Sequence, residues 1–321
     1  MSVYNGARFL APAMESVLSQ SFPDLEFLVL DDGSEDETPE IIRAFAARDD
    51  RVRPIIRENR GLIASLNELL AMARAPLIAR MDADDICHPE RFARQTAFLE
   101  EHPDHGVVGS WSEDIDERGR PWAYSPPDPP TQWPGIERAL DEGRSVLIHP
   151  SVMYRRDLVL EAGGYHAAFR HCEDFDLWLR LASRTRMANL PDRLLRYRHY
   201  AGQVSKRHRF EQACGAAIAR EAYLARKTGR PDPTTDMAAL PPVEALASLF
   251  DDDAAAARVR QRTVDGLLHS RAALGGDGFT FLLDHVARGG SHAGLWRTVL
   301  RLASFGMPAR ALRLATALLR P

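Results

Sequence analysis

One local pattern constrains this 321-residue chain more than any other: an apolar run of strand length stops at a cluster of aspartates, and a helix-forming segment follows. Leu25 to Leu30 stops at Asp31-Asp32-Gly33-Ser34, after which Thr38-Pro39 supplies an N-cap and a first-turn proline. Leu77 to Met81 stops at Asp82-Ala83-Asp84-Asp85, and a helix is expected from Pro89. Between and before these runs, Phe9, Leu10, Met14, Val17 and Leu18 recur at helical spacing. A short strand is expected near Val52 to Ile56 and a helix from about Leu62 to Ala73. Such alternation predicts an α/β fold with an open, mainly parallel sheet whose ligand loops lie at the carboxyl ends of the strands.

The second half is less regular. A strand from Gly106 to Trp111 precedes a proline-rich stretch, Pro121 to Pro134, read as irregular. An apolar run follows around Ser145 to Tyr154, then a helix through Leu160 closed by Gly163-Gly164, a helix from Asp174 to Ala182 and a strand from Leu194 to Tyr200. Beyond Ser205 the chain is rich in Ala, Leu and Arg at helical spacing, broken by the linker Gly229 to Pro242 and by Gly275-Gly276. The expected organisation is a domain at 1–205, with halves 1–110 and 111–205, and a helical appendage at 206–321.

A net charge of -4 leaves no basic field of the kind nucleic-acid binding requires. Three cysteines without metal-ligand spacing argue against a disulfide framework or zinc site and point to a reducing cytoplasm. No apolar run reaches the length of a membrane span.

Asp82 and Asp84 lie two apart, so on an extended segment their carboxylates face one side while Ala83 and Asp85 face the other. Two like charges about 4 Å apart repel by roughly 4 kcal/mol at an effective dielectric near 20. A diphosphate can settle beside them only with a hard divalent cation, and carboxylate and phosphate oxygens suit Mg²⁺ or Mn²⁺. Read alone, the same cluster is equally a solvated acidic turn or a helix cap ahead of Pro89. Asp31 and Asp32 are open to the same reading, as turn caps.

Five segments in order change that balance: Ser2-Val3-Tyr4-Asn5-Gly6, Val29 to Ser34, Asn59-Arg60-Gly61-Leu62, Asp82 to Asp85 with Pro89-Glu90-Arg91, and Glu173-Asp174-Phe175-Asp176-Leu177-Trp178-Leu179-Arg180. Over about residues 1–205 the chain resembles the family 2 glycosyltransferases, in particular bacterial single-addition enzymes of surface polysaccharide synthesis. The resemblance implies the glycosyltransferase A fold, a Rossmann-like sheet flanked by helices. It implies hexosyl or N-acetylhexosaminyl transfer, with inversion, from a nucleotide-sugar donor to a hydroxyl of a glycan or lipid-linked acceptor. It further implies that Asp32 binds the nucleotide base, that Tyr4 and Arg60 line the donor site, and that Asp84 is the direct metal ligand. Asp82 would contact the ribose or a metal-bound water, and Asp174 would be the catalytic base. A carboxylate at Asp32 can accept from the imide N–H of uracil, which favours UDP.

The chain departs from the family at two places. The first strand, normally ahead of the Ser2 motif, is expected to be missing. A histidine common at the position of Tyr200 stands one residue earlier, as His199, where strand alternation reverses its face. Three residues near the motifs read as structural: His149 as a buried, hydrogen-bonded histidine, and Cys87 and Cys172 as small buried hydrophobes. A phosphatase of the haloacid dehalogenase type is set aside because neither aspartate cluster carries its Asp-x-Asp-x-Thr-like nucleophile loop. A non-catalytic nucleotide-sugar-binding scaffold is the remaining alternative. In the C-terminal region, Leu295, Trp296, Val299, Leu300 and Leu302 alternate with Arg297 and Arg301. That pattern fits either a helix packed on the rest of the chain or peripheral contact with the inner face of an anionic membrane.

Overall fold

The computed structural model describes residues 1–123, 126–200, 202–203, 208–242 and 245–319. The chain forms two compact units, Met1–His166 with Leu177–Tyr200, and Ala167–Asp176 with Ala201–Pro321. The expected boundary at 205 falls outside the described residues.

In the first unit, β1 (Ser2–Val3), β2 (Phe27–Asp32) and β3 (Val52–Arg57) form a parallel sheet, connected by α1 (Ala7–Leu18) and α2 (Thr38–Ala46). Every residue of β2 is buried, because both faces of the strand are covered. Phe27 and Val29 pack with Leu10, Met14 and Val17 of α1 and Ile42 and Phe45 of α2. Leu28 and Leu30 point the other way, onto Leu69 of α3 (Leu62–Met72) and Ala73. Covering on both sides is why this strand reads as a continuous apolar run rather than an alternating one.

Ser2 and Val3 form a two-residue strand. They pair with Leu30 and Asp31, Val3 is buried, and Ser2 also bridges in parallel to Asp82. The three-stranded sheet and the second acidic cluster are thus tied through one residue.

The second sheet corrects the mainly parallel expectation. Its order is β4 (Leu77–Ala79), β7 (Met153–Arg155), β6 (His105–Asp116), β8 (Arg186–His199) and β5 (Ile86–Cys87), and only the β6–β8 pair is parallel. Direction follows from connections. The chain reaches β7 through irregular segments and α5 (Trp133–Asp141), not through the strand-helix-strand crossover that enforces parallel pairing. Helix α5 itself begins inside the stretch read as irregular, with Pro134 tolerated in its first turn and Ile136, Ala139 and Leu140 buried. Strands β6 and β8 also extend beyond their apolar runs, since polar pairs such as Arg196 with Glu113, at 3.0 Å, carry the ladder onward.

Helix α4 (Arg91–Glu101) fixes this sheet through a fully buried arginine. Arg91 donates to the Arg80 carbonyl (2.8 Å), the Val152 carbonyl (3.0 Å) and Gln95 Oε1 (3.0 Å). α6 (Arg156–Glu161) completes the unit, and α7 (Glu173–Leu181) runs from the second unit into the first.

The second unit is helical, as expected: α8 (Arg209–Lys227), α9 (Leu246–Phe250), α10 (Asp253–Leu267), α11 (Arg271–Gly275), α12 (Asp277–Ala287), α13 (Leu295–Ser304) and α14 (Pro308–Leu318). Leu267, Leu274, Phe279, Leu282, Leu302 and Leu314 form its core. Among the described residues, no helix is long and apolar enough to cross a membrane.

Replacing Arg91 by Met removes the guanidinium donors from the Arg80 and Val152 carbonyls, of which Val152 keeps the Arg80 N–H. Urea denaturation should show a loss of about 3 kcal/mol; an unchanged midpoint and slope would contradict this role.

Candidate functional site

The two aspartates at the end of β2 do different work. Asp31 Oδ1 accepts from the Ser34 backbone N–H at 3.1 Å, so Asp31 is the turn cap. Asp32, 2% exposed, accepts from the backbone N–H groups of Arg60 (2.9 Å) and Gly61 (2.8 Å) and from Arg57 Nη1 (2.5 Å). Asn59 Nδ2 donates to the Asp32 carbonyl at 2.8 Å. Arg57 is held in turn by Glu68 and Ser65, both at 2.9 Å. The loop after β3 is therefore latched to the end of β2. Gly33 permits the approach: its φ is +79°, and a Cβ there would stand 2.6 Å from the Asn59 nitrogen.

A carboxylate has about four acceptor directions. Three at Asp32 are taken within the chain, which leaves one open.

Latching extends to the loop after β1. Asn5, at a left-handed φ of 49°, receives and returns bonds: its N–H donates to Ser34 Oγ, and its Oδ1 accepts from the Glu35 N–H, both at 2.8 Å. The Gly6 N–H donates to Thr38 Oγ1 (3.0 Å) and the Ala7 N–H to Asp36 Oδ2 (3.0 Å). Tyr4 is half exposed beside this seam, and the Arg60 side chain is exposed. Both side chains are thus open to solvent on loops whose backbones are fixed.

The second cluster departs from the two-faced arrangement expected of a strand. β4 stops at Ala79, Asp82 forms an isolated bridge, residues 83–84 turn, and carboxylate oxygens of Asp82, Asp84 and Asp85 all lie within 4.8 Å of one another. Asp85 is 1% exposed. Its Oδ1 accepts from the Arg198 N–H at 2.8 Å, while its Oδ2 is buried with no hydrogen-bond partner. Burial first, and then the neighbouring Asp82 charge, push the Asp84 carboxyl up to about 6. The Tyr200 hydroxyl donates to Asp84 and acts in the opposite direction. Burial and its two acidic neighbours hold Asp85 well above the usual carboxylate range.

Three residues that sequence reasoning missed hold this cluster together. Arg80, buried beneath it, pairs with Asp82. Arg198 donates from Nε to the Asp84 carbonyl (2.7 Å) and from Nη1 to the carbonyls of Asp116 and Glu117 (3.2 Å each), with its guanidinium 4.6 Å from the Phe9 ring centre. Tyr200 packs against Phe9 at 5.2 Å. An arginine inside the apolar run Leu77 to Met81 was the readable signal for Arg80; nothing local marked Arg198.

Strand alternation does separate His199 from Tyr200. His199 Nε2 lies 2.8 Å from Asp114 Oδ1 and its ring lies 5.1 Å from Trp122, whereas Tyr200 reaches Asp84. His149 is buried and bonded to the Tyr165 hydroxyl at 2.9 Å, with burial holding it well below the usual histidine range. Cys87 and Cys172 are buried.

A hard divalent cation fits the cluster on its own terms. Three converging carboxylates, one buried orphan oxygen and carboxyls forced upward by mutual repulsion all describe negative charge that a cation would relieve. Asp174 is the second residue of α7 and belongs to the second unit. It is half-buried, whereas its neighbours Cys172, Glu173, Phe175 and Asp176 are buried.

Residues 1–163 match the family model described as glycosyl transferase family 2. EpsE of Bacillus subtilis is 39% identical over 184 residues, 56% of this chain and 64% of that protein, so the match spans just under two thirds of that relative. The amylovoran biosynthesis glycosyltransferase AmsE of Erwinia amylovora is 32% identical over 214 residues, 64% of this chain and 77% of the relative. Two solved structures share the fold. S. aureus TarS 1-349 with UDP-GlcNAc has a TM-score of 0.57 at 18% identity, covering 90% of this chain and 86% of that one. A mannosyltransferase from Pyrobaculum calidifontis with GDP-Man and Mn²⁺ has a TM-score of 0.56 at 20% identity, covering 99% and 85%.

Because protons and a cation compete for Asp84 and Asp85, Mn²⁺ affinity should fall as pH drops through about 6. Calorimetric titrations from acid to neutral pH check this; a flat profile would contradict the assignment. Gly33→Ala should weaken nucleotide binding and lower the melting midpoint together, because the β2 turn and the Asn59 loop can no longer meet.

Proposed function

The chain belongs to glycosyltransferase family 2, and from that membership we propose a specific reaction. A hexosyl or N-acetylhexosaminyl group moves from a UDP-sugar to a hydroxyl of a glycan or lipid-linked acceptor, with inversion at the anomeric carbon. The observation that carries this reading is the convergence of Asp82, Asp84 and the buried orphan oxygen of Asp85 beside loops whose backbones are latched through Asp32 and Asn5.

Asp32 uses its remaining acceptor direction for the base imide N–H, while Tyr4 and Arg60 flank the nucleotide. Asp84 is the direct ligand for Mg²⁺ or Mn²⁺, and Asp82 contacts the ribose or a water on the ion. When bound, the ion offsets charge developing on the leaving diphosphate. A nucleotide-sugar donor is supported by the TarS structure with UDP-GlcNAc and by the Pyrobaculum structure with GDP-Man, whose Mn²⁺ also supports the divalent ion; the choice of UDP rests on the Asp32 acceptor alone. The name of AmsE supports a polysaccharide-type acceptor.

Asp174 is the base. Its carboxylate takes the proton from the acceptor hydroxyl as that oxygen attacks the anomeric carbon, and UDP departs from the opposite face. Its partial exposure, between buried acids at 173 and 176, supports the choice of Asp174 over either neighbour.

Asp174→Asn should bind UDP as the parent does and lose about 10² to 10⁴ in turnover, measured as sugar transfer and UDP release across donor and acceptor panels. Near-normal transfer would remove Asp174 from this role. Metal-dependent UDP binding by the parent with no transfer or hydrolysis would support the scaffold alternative instead.

A further inference from the structure

The charge of this chain is segregated along its length. Residues 285–321 hold six arginines (Arg288, Arg297, Arg301, Arg310, Arg313 and Arg320) and no aspartate or glutamate, although the whole chain is net acidic. A single-sign segment of this kind is a field for an anionic partner.

The structure sorts these cations. Arg288 is paired with Asp284. Arg301 and Arg310 are spent on the helical core, donating to the carbonyls of Leu268 (2.6 Å) and Leu274 (2.5 Å). Arg297 on α13 and Arg313 on α14 are exposed, with no acidic side chain within ion-pair distance among the described residues.

Beside them lies apolar surface that the core does not use. On α13, Leu295, Thr298 and Leu302 face inward, while Trp296 (50% exposed) and Leu300 (73%) lie one turn apart on the outer flank, next to Arg297. On α14, Ala311 and Leu314 face inward and Leu312 (69%) faces outward, next to Arg313. An amphipathic helix needs one apolar stripe to dock on its core. These helices carry a second, and each pairs it with an unneutralised arginine. Tryptophan and leucine flanked by arginine is the composition of a helix that lies in a lipid interface, with the ring at headgroup depth and the cations on anionic headgroups.

We propose that α13 and α14 form an anchor for an anionic lipid surface, engaged through Trp296, Leu300 and Leu312 with Arg297 and Arg313. Attachment would be peripheral and dependent on lipid charge, and it would bring the chain to the surface where a lipid-linked acceptor resides. It goes beyond the transfer reaction and stands whether or not Asp174 is the base.

The test is flotation of the full chain with phosphatidylcholine vesicles and with vesicles enriched in phosphatidylglycerol, at low and high salt. Binding is expected only to the anionic vesicles and is expected to weaken as salt rises. Trp296→Glu with Leu300→Glu should reduce bound protein about tenfold or more. Arg297→Ala with Arg313→Ala should reduce it about tenfold. Both variants change exposed side chains, so melting midpoints and metal-dependent UDP binding without vesicles should match the parent. That match keeps a failed membrane test separate from a failed transferase reading. Equal flotation of parent and variants, equal binding to neutral vesicles, or a dimer in sedimentation velocity that Trp296→Glu dissolves without any vesicle binding would overturn the proposal.

Discussion

Repulsion among Asp82, Asp84 and Asp85 is the constraint around which the first unit is arranged. Folding carries three carboxylates into one turn and buries the last of them, which no isolated segment would do. The surrounding structure opposes that cost with Arg80 beneath the turn, the Arg198 N–H on Asp85, the Arg198 guanidinium on the Asp84 carbonyl and the Tyr200 hydroxyl on Asp84. What remains uncompensated is aimed charge: an orphan oxygen on Asp85 and a carboxyl on Asp84 held near 6. A hard cation would relieve charge of this kind.

Backbone latches hold the acidic turn in register with the three-stranded sheet. Ser2 pairs with Leu30 on one side and bridges Asp82 on the other, so the smallest strand in the sheet fixes the spacing between both aspartate clusters. Asn5 and Asp32 then join three loops that follow β1, β2 and β3. Asp32 is consequently a loop organiser. The same carboxylate that leaves one direction for a ligand has three directions tied to the loops that would surround it.

Legibility in the sequence followed burial. β2 and the helices around it were readable because two covered faces leave a continuous apolar run and two amphipathic stripes. The acidic clusters were readable because they interrupt such runs. Beyond Gly106 the signal weakened for a physical reason: β6 and β8 carry polar pairs on half-exposed faces, and strand direction there depends on irregular connections that periodicity does not encode. β1 carries no pattern of its own because two residues are too few, even though Val3 is core. Arg198 was invisible because its partners are carbonyls and a carboxylate more than eighty positions distant in the chain.

The central claim is that Asp84 and its neighbours join a divalent ion to a nucleoside diphosphate. Electron paramagnetic resonance of Mn²⁺ added to the chain, with and without UDP, addresses it directly. The account predicts a bound-ion signal that UDP strengthens and that Asp84→Asn abolishes while the fold, judged by circular dichroism, is retained. A bound-ion signal indifferent to both UDP and the substitution would contradict it.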